Sequence, residues 1–222
     1  MDKVLLLDEL VKVYPPNRRA VSNVDAVFLK GESAAVLGGP GSGKTTLMRL
    51  ACGLVQPSGG SVTVLGRQLA QMGEKQMAEF RNTHMGIVQR EAVFLEGLTA
   101  AENTAIPLIA GGMGMQTAVQ KAKELLQKVG LGKRINSSAG GLSMPERNMI
   151  QLARAAIRQP EILLLDELGG DLTEKEKEKL LELLRALSCA KQCTVIYFTS
   201  DRHLAERFNR IVTLRDGEII EE

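Results

Sequence analysis

Gly38-Gly39-Pro40-Gly41-Ser42-Gly43-Lys44-Thr45 decides how this chain is read. The string fits GxxxxGK(S/T), a pattern that carries a mechanism as well as a spelling. Before it stands Ala34-Ala35-Val36-Leu37, an apolar run that predicts a buried strand; after it Leu47, Leu50 and Ala51 recur at helical spacing. In a strand–loop–helix context the glycines let backbone N–H groups wrap a polyphosphate, and the helix N-terminus adds unpaired donors and the positive end of its dipole. Gly38 to Thr46 are therefore the candidate nucleotide-binding residues. Lys44 would reach the β- and γ-phosphates, and Thr45 would ligate Mg²⁺.

The totals are those of an ordinary globular chain: 222 residues, 44% hydrophobic and 24% charged. Only 3% are aromatic, so the core has to be aliphatic. A net charge of +2 gives no electrostatic case for a nucleic-acid partner. No run approaches the ~18 apolar residues of a membrane span, and acids in Met1–Glu9 disfavour a signal peptide. Cys52, Cys189 and Cys193 are too few for a disulfide framework; Cys189 and Cys193 are spaced to face one another on a helix, as reduced thiols. A cytosolic compartment follows from these readings.

Around the loop, Val4–Leu7, Leu10–Tyr14, Val24–Leu29 and Ser33–Leu37 read as strands, with Pro15-Pro16-Asn17 breaking the series. Ser61–Leu65 and Met85–Val88 are further strands, and Gln76–Arg81 is helical. Glu102–Ala110 and Thr117–Val129 show helical spacing, and Ser143 precedes a helix over Glu146–Ile157 with Glu146 at the capping-box distance. Glu161–Leu165 reads as a buried strand, Thr173–Leu187 as an amphipathic helix whose Glu/Lys run is a solvated face, and Thr194–Phe198 as a strand. Arg215–Glu218 is a hairpin turn. Strands alternating with helices imply a mostly parallel sheet covered on both faces.

A phosphate loop needs an acid for its metal. Leu163-Leu164-Leu165 deliver Asp166 to the carboxyl edge of the sheet, where ligands bind. Glu167 follows, is expected on the other side of the strand end, and is the candidate to polarise a water for attack on the γ-phosphate.

On these motifs and their separation, the chain resembles the ABC-type ATPases along its whole length. These are the nucleotide-binding subunits of ATP-binding-cassette transporters. Phe80-Arg81-Asn82, Gly86, Leu98-Thr99-Ala100, Glu102-Asn103 and Ile106-Pro107-Leu108 resemble the branch of lipoprotein-releasing, cell-division and macrolide-export ATPases. The resemblance implies an α/β fold with a P-loop NTPase core over residues 1–89 and 159–222, an N-terminal antiparallel β-subdomain, and an all-helical subdomain inserted at about 90–158, all in one domain of 222 residues. It implies ATP and Mg²⁺ as cofactors, and Tyr14 as the platform for adenine. It also implies a second ATPase chain, identical or different, sandwiching each ATP, and an integral membrane transporter subunit that holds the chain on the inner face of the cell membrane.

Several positions depart from the family. Its signature, usually LSGGQ or LSGGE, here reads Leu142-Ser143-Met144-Pro145-Glu146. Pro145 has no N–H to offer, and Met144 carries a side chain where close approach is wanted. Arg90 stands at the place of a metal-contacting glutamine, and Gln89 replaces it only if the strand slips by one. A cation there is expected to face away or to take over a phosphate contact. Ser200 stands at the place of a histidine beside the γ-phosphate, and Thr173 ends the loop Gly170-Asp171-Leu172-Thr173 where the family has Asp. His84 and His203 read as ordinary histidines. These departures predict intact ATP binding with weak hydrolysis, or a soluble dimerisation switch on the same fold. A small-molecule kinase is disfavoured, since no arginine-rich lid is present.

Overall fold

The computed structural model describes residues 2–91, 93–170, 172–191 and 193–221, side chains at 187–191 and 221 excepted. Two sheets share the fold. The first is antiparallel, in the order β2 (Arg18–Leu29), β1 (Lys3–Tyr14), β4 (Gly59–Val64), β5 (Arg67–Gln68). The two strands expected before Tyr14 are one: a register shift between Leu7 and Leu10, with Glu9 at φ 46°, bends β1 without ending it. The Pro15-Pro16-Asn17 break is the turn of the β1–β2 hairpin, so β2 begins earlier than its apolar run.

The second sheet has six strands in the order β10 (Glu218–Glu221), β9 (Arg210–Arg215), β3 (Ser33–Leu37), β8 (Thr194–Thr199), β7 (Ile162–Asp166), β6 (Met85–Val88). All neighbours are parallel except β9 and β10, the hairpin foreseen at Arg215–Glu218. β7 and β8 are buried at every residue, as strands covered on both faces must be. One face packs with α1 (Lys44–Ala51) and the first sheet, through Met48, Leu50, Leu164 and Phe198. The other carries Leu180, Leu181 and Leu184 of α6 (Glu174–Lys191) and Leu204 of α7 (Arg202–Ala205). Cys193 is buried just ahead of β8, off the helix expected to share it with Cys189, whose side chain lies outside the described set. Burial pushes the Cys52 and Cys193 thiols up to about 12.

Helices α3 (Ala100–Ala110), α4 (Met115–Lys128) and α5 (Met144–Ala156) fall between β6 and β7 in sequence and enclose their own small core of Ala100, Leu126, Ile150 and Ala153. α3 starts ahead of its apolar pattern because Thr99 and Glu102 form a reciprocal cap: Glu102 N–H donates to Thr99 Oγ1 at 3.2 Å, and Thr99 N–H to Glu102 at 2.8 Å. Ser143 and Glu146 cap α5 in the same way, as their spacing predicts. α2 (Glu74–His84) leads into β6.

Candidate functional site

β3 ends at Leu37 and α1 begins at Lys44, so the glycine loop spans the carboxyl edge of the six-stranded sheet. Gly43 caps α1 at φ 101°, and a Cβ there would lie 2.3 Å from Ala20 O. The position accepts glycine alone, on backbone and on space. Gly38 is equally confined: its N–H donates to Thr199 O at 3.1 Å, and a Cβ would meet Leu214 O at 2.5 Å. From behind, Gly217 N–H donates to Ser42 O at 3.0 Å, while Gly217 O accepts from Ser22 N–H at 2.8 Å. The loop is thus shaped by neighbours on three strands.

Lys44 is buried, and its Nζ donates to Gly38 O at 2.6 Å and Gly39 O at 3.0 Å. The same Nζ lies 3.4 Å from Glu167 Oε1. Thr45 Oγ1 donates to Asp166 Oδ2 at 2.8 Å. Asp166 is 1% exposed, and among the described residues its Oδ1 has no partner; neither has the buried Ser42 Oγ. Burial pushes the Asp166 carboxyl up from its ordinary range, Thr45's hydrogen bond opposes that, and Glu167 adds to it.

Glu167 departs from strand alternation. It lies just past β7 at φ 49°, and this left-handed turn brings its carboxylate to the same loop as Asp166 rather than to the other side. Ser200, just past β8, donates to Glu167 Oε2 from its N–H at 3.1 Å and its hydroxyl at 3.2 Å.

A cleft of about 480 Å³ opens over these groups. Of the residues singled out from sequence, Tyr14, Pro40 to Thr46, Glu167, Ser200 and Arg90 line it. Gly38 and Gly39 enter through the carbonyls that Lys44 holds, and Asp166 through Thr45. Gln89 is exposed and outside the lining, so Arg90 is the residue of that pair at the cleft. Leu142 to Glu146 lie apart, at the start of α5. Ser143 Oγ accepts from Glu146 N–H at 3.4 Å, and Met144 is 50% exposed. Thr173 donates to Glu176 from its N–H and hydroxyl at the start of α6; Asp171 lies outside the described residues. His84 sits 3.2 Å from Glu161, and His203 is exposed on α7.

Sequence reading missed Arg18, Arg19 and Arg49, which also line the cleft. Arg49 carried a signal, one helical turn beyond Thr45 on the loop's own helix. Arg18 and Arg19 carried none, because a hairpin from the other sheet delivers them.

The residues fit a magnesium-bound nucleotide. Asp166 Oδ1 is an orphaned buried oxygen beside a hydroxyl at the mouth of a glycine cradle, and oxygen donors suit Mg²⁺. Residues 21–168 match the family model described as ABC transporter. The chain belongs to the ATP-binding cassettes of ABC transporters. It is 37% identical over 222 residues to the lipoprotein-releasing system ATP-binding protein LolD of Chromohalobacter salexigens, covering 99% of this chain and 94% of the relative. It is 36% identical to the macrolide export ATP-binding/permease protein MacB of Aggregatibacter actinomycetemcomitans over 87% of this cassette, which spans 30% of that longer protein. Among solved structures the cassette is similar to dimeric MJ0796, a bacterial ABC transporter cassette, with TM-score 0.92 and 28% identity over 98% of this chain and 97% of the other. The same protein bound to ADP and Pi gives the same TM-score and identity.

Proposed function

We propose that this cassette binds Mg-ATP between two ATPase chains and couples that binding to an integral membrane partner, with its own hydrolysis impaired. The meeting of Lys44, Thr45 and Asp166 at one glycine loop carries the reading. Loop N–H groups and the start of α1 take phosphate oxygens, with Lys44 as a fixed charge beside them. Tyr14 offers adenine a ring at the edge of the cleft. Thr45 and Asp166 would hold Mg²⁺, which bridges and neutralises the terminal phosphates when bound. A paired assembly is supported by the similar cassette MJ0796, which was solved as a dimer.

Three features support impaired hydrolysis. Both oxygens of Glu167 are engaged, one by Lys44 and one by Ser200, so the carboxylate is held and its charge partly offset where it would polarise a water. Ser200 has no ring nitrogen to hold a γ-phosphate. Ser143 and Glu146 cap one another, and Pro145 has no N–H, so the start of α5 has few donors for a partner's nucleotide. Losing one such donor costs about 10²–10³ in rate.

For the membrane partner, the support is a groove between α2, β6, α3 and the end of α5, lined by Asn82, Ile106, Pro107, Arg154 and Arg158, with Val93 and Leu95 exposed nearby at 72% and 52%. Among the described residues no helix is long and apolar enough to cross a membrane, so anchoring would come through that partner. The test is a cross-link from a cysteine replacing exposed Glu96, in native membranes. An adduct with an integral membrane protein is expected. A chain found only in the soluble fraction, without adduct, would overturn the coupling and favour a soluble ATP-dependent switch.

A further inference from the structure

We infer that Arg49 and Arg90 grip the polyphosphate directly, so that this cassette holds a nucleoside triphosphate with little dependence on a divalent cation. The inference rests on the nucleotide-site reading above and deepens it.

Among the described residues five cations line the cleft: Arg18, Arg19, Lys44, Arg49 and Arg90. Among the described lining residues Glu167 is the one carboxylate, with Lys44 already beside it; Asp166 lies behind Thr45, within reach of the Arg49 charge. Three of the cations have protein partners. Lys44 donates to two loop carbonyls, Arg18 lies over the Tyr14 ring at 5.3 Å, and Arg19 reaches Ser22 Oγ at 3.5 Å. Arg49 and Arg90 are exposed, and among the described residues their side chains make no hydrogen bond or ion pair. A surplus of guanidinium groups that make no hydrogen bond to protein, around a phosphate cradle, selects for a highly charged anion.

Their placement sharpens this. Arg49 stands one turn beyond Thr45 on α1, on the same face. Arg90 lies two residues past β6, whose Val88 pairs with Leu165 next to Asp166. Both therefore flank the place where Thr45 and Asp166 would hold a metal. A guanidinium has five donors and no acceptor, so neither residue can ligate a cation. Each can instead give paired N–H···O contacts to phosphate oxygens, which neutralises the charge that a divalent ion otherwise neutralises.

The experiment titrates a fluorescent ATP analogue against the full chain, in magnesium and in EDTA, for the unmodified protein, Arg90→Gln and Arg49→Gln. For the unmodified protein, affinity in EDTA is expected within about threefold of that in magnesium. Each variant should bind about ten-fold or more weakly in EDTA and recover most of that in magnesium, the loss of one charge-assisted contact. Inorganic tripolyphosphate should compete in EDTA against the unmodified protein and poorly against the variants. Unchanged melting temperatures without nucleotide would exclude unfolding, which the exposure of both residues makes the expected control result. Binding by the unmodified protein that needs magnesium as strongly as the variants overturns this inference alone. Failure to bind in either buffer overturns the nucleotide-site reading with it.

Discussion

Ser200 donates twice to one oxygen of Glu167, from its N–H at 3.1 Å and its hydroxyl at 3.2 Å. The other oxygen faces Lys44 at 3.4 Å. The carboxylate proposed to act on water and the lysine proposed to hold phosphate therefore restrain one another, and Ser200 fixes the arrangement from just past β8.

Steady-state phosphate release by the purified chain should sit at or near background, with Glu167→Gln as the blank. Ser200→His alone should do little, because the start of α5 still lacks donors. Adding Met144→Gly and Pro145→Gly should raise the rate more than either set alone, since positioned groups of this kind are each worth about 10²–10³ and act together. Robust release by the unmodified chain, abolished by Glu167→Gln, would overturn the reading of impaired hydrolysis.

Lys44→Ala should weaken binding of a fluorescent ATP analogue by roughly 1.5–3 kcal/mol, the worth of one charge-assisted contact. Equal affinities for the two forms would remove the loop from the nucleotide site.

Asp201 links stability to pH. Its carboxylate accepts from Lys177 Nζ at 2.8 Å and from Leu204 N–H at 3.1 Å, and Lys177 foremost holds it below the ordinary range. Because the folded carboxyl titrates lower than the unfolded one, its contribution is complete above about 3.9, the unfolded value, and fades as pH falls through the folded value. Asp201→Asn keeps the cap and removes the charge, so it should cost up to about 1 kcal/mol at neutral pH. Thermal melts of both proteins from pH 7 downward should converge in acid. A gap that stays constant would show that the charge is not involved.

Tyr197 is fully buried in β8, its ring against Phe208 at 5.3 Å between centroids, and its hydroxyl has no partner among the described residues. A buried hydroxyl without a partner costs about 1–3 kcal/mol. Tyr197→Phe should therefore raise the melting temperature by about 2–4 °C for each kcal/mol recovered. A lower melting temperature would mean that the hydroxyl is satisfied after all.

What could be read from sequence was what is local. The loop needs glycine at particular backbone angles, and the apolar triplet before Asp166 needs burial on both faces, so each announces itself in adjacent residues. Asp166 and Thr45 meet as expected because both sit at ends of neighbouring elements. Glu167 was misdirected because strand alternation was carried one residue too far, past β7 into a left-handed turn. Arg18 and Arg19 were invisible for a different reason: the β1–β2 hairpin brings them from another sheet, and no spacing encodes that approach. Helix starts moved because caps, not apolar periodicity, set where α3 begins.

The contact of Gly217 with Ser42 and Ser22 has a consequence in time. A ribosome makes the glycine loop early and the β9–β10 hairpin that braces it much later. Nascent chains stalled before Arg210 should pass through immobilised ATP unretained, whereas chains whose Gly217 has cleared the ribosome should be held. On that outcome nucleotide capture would be a late event in the chain's own synthesis.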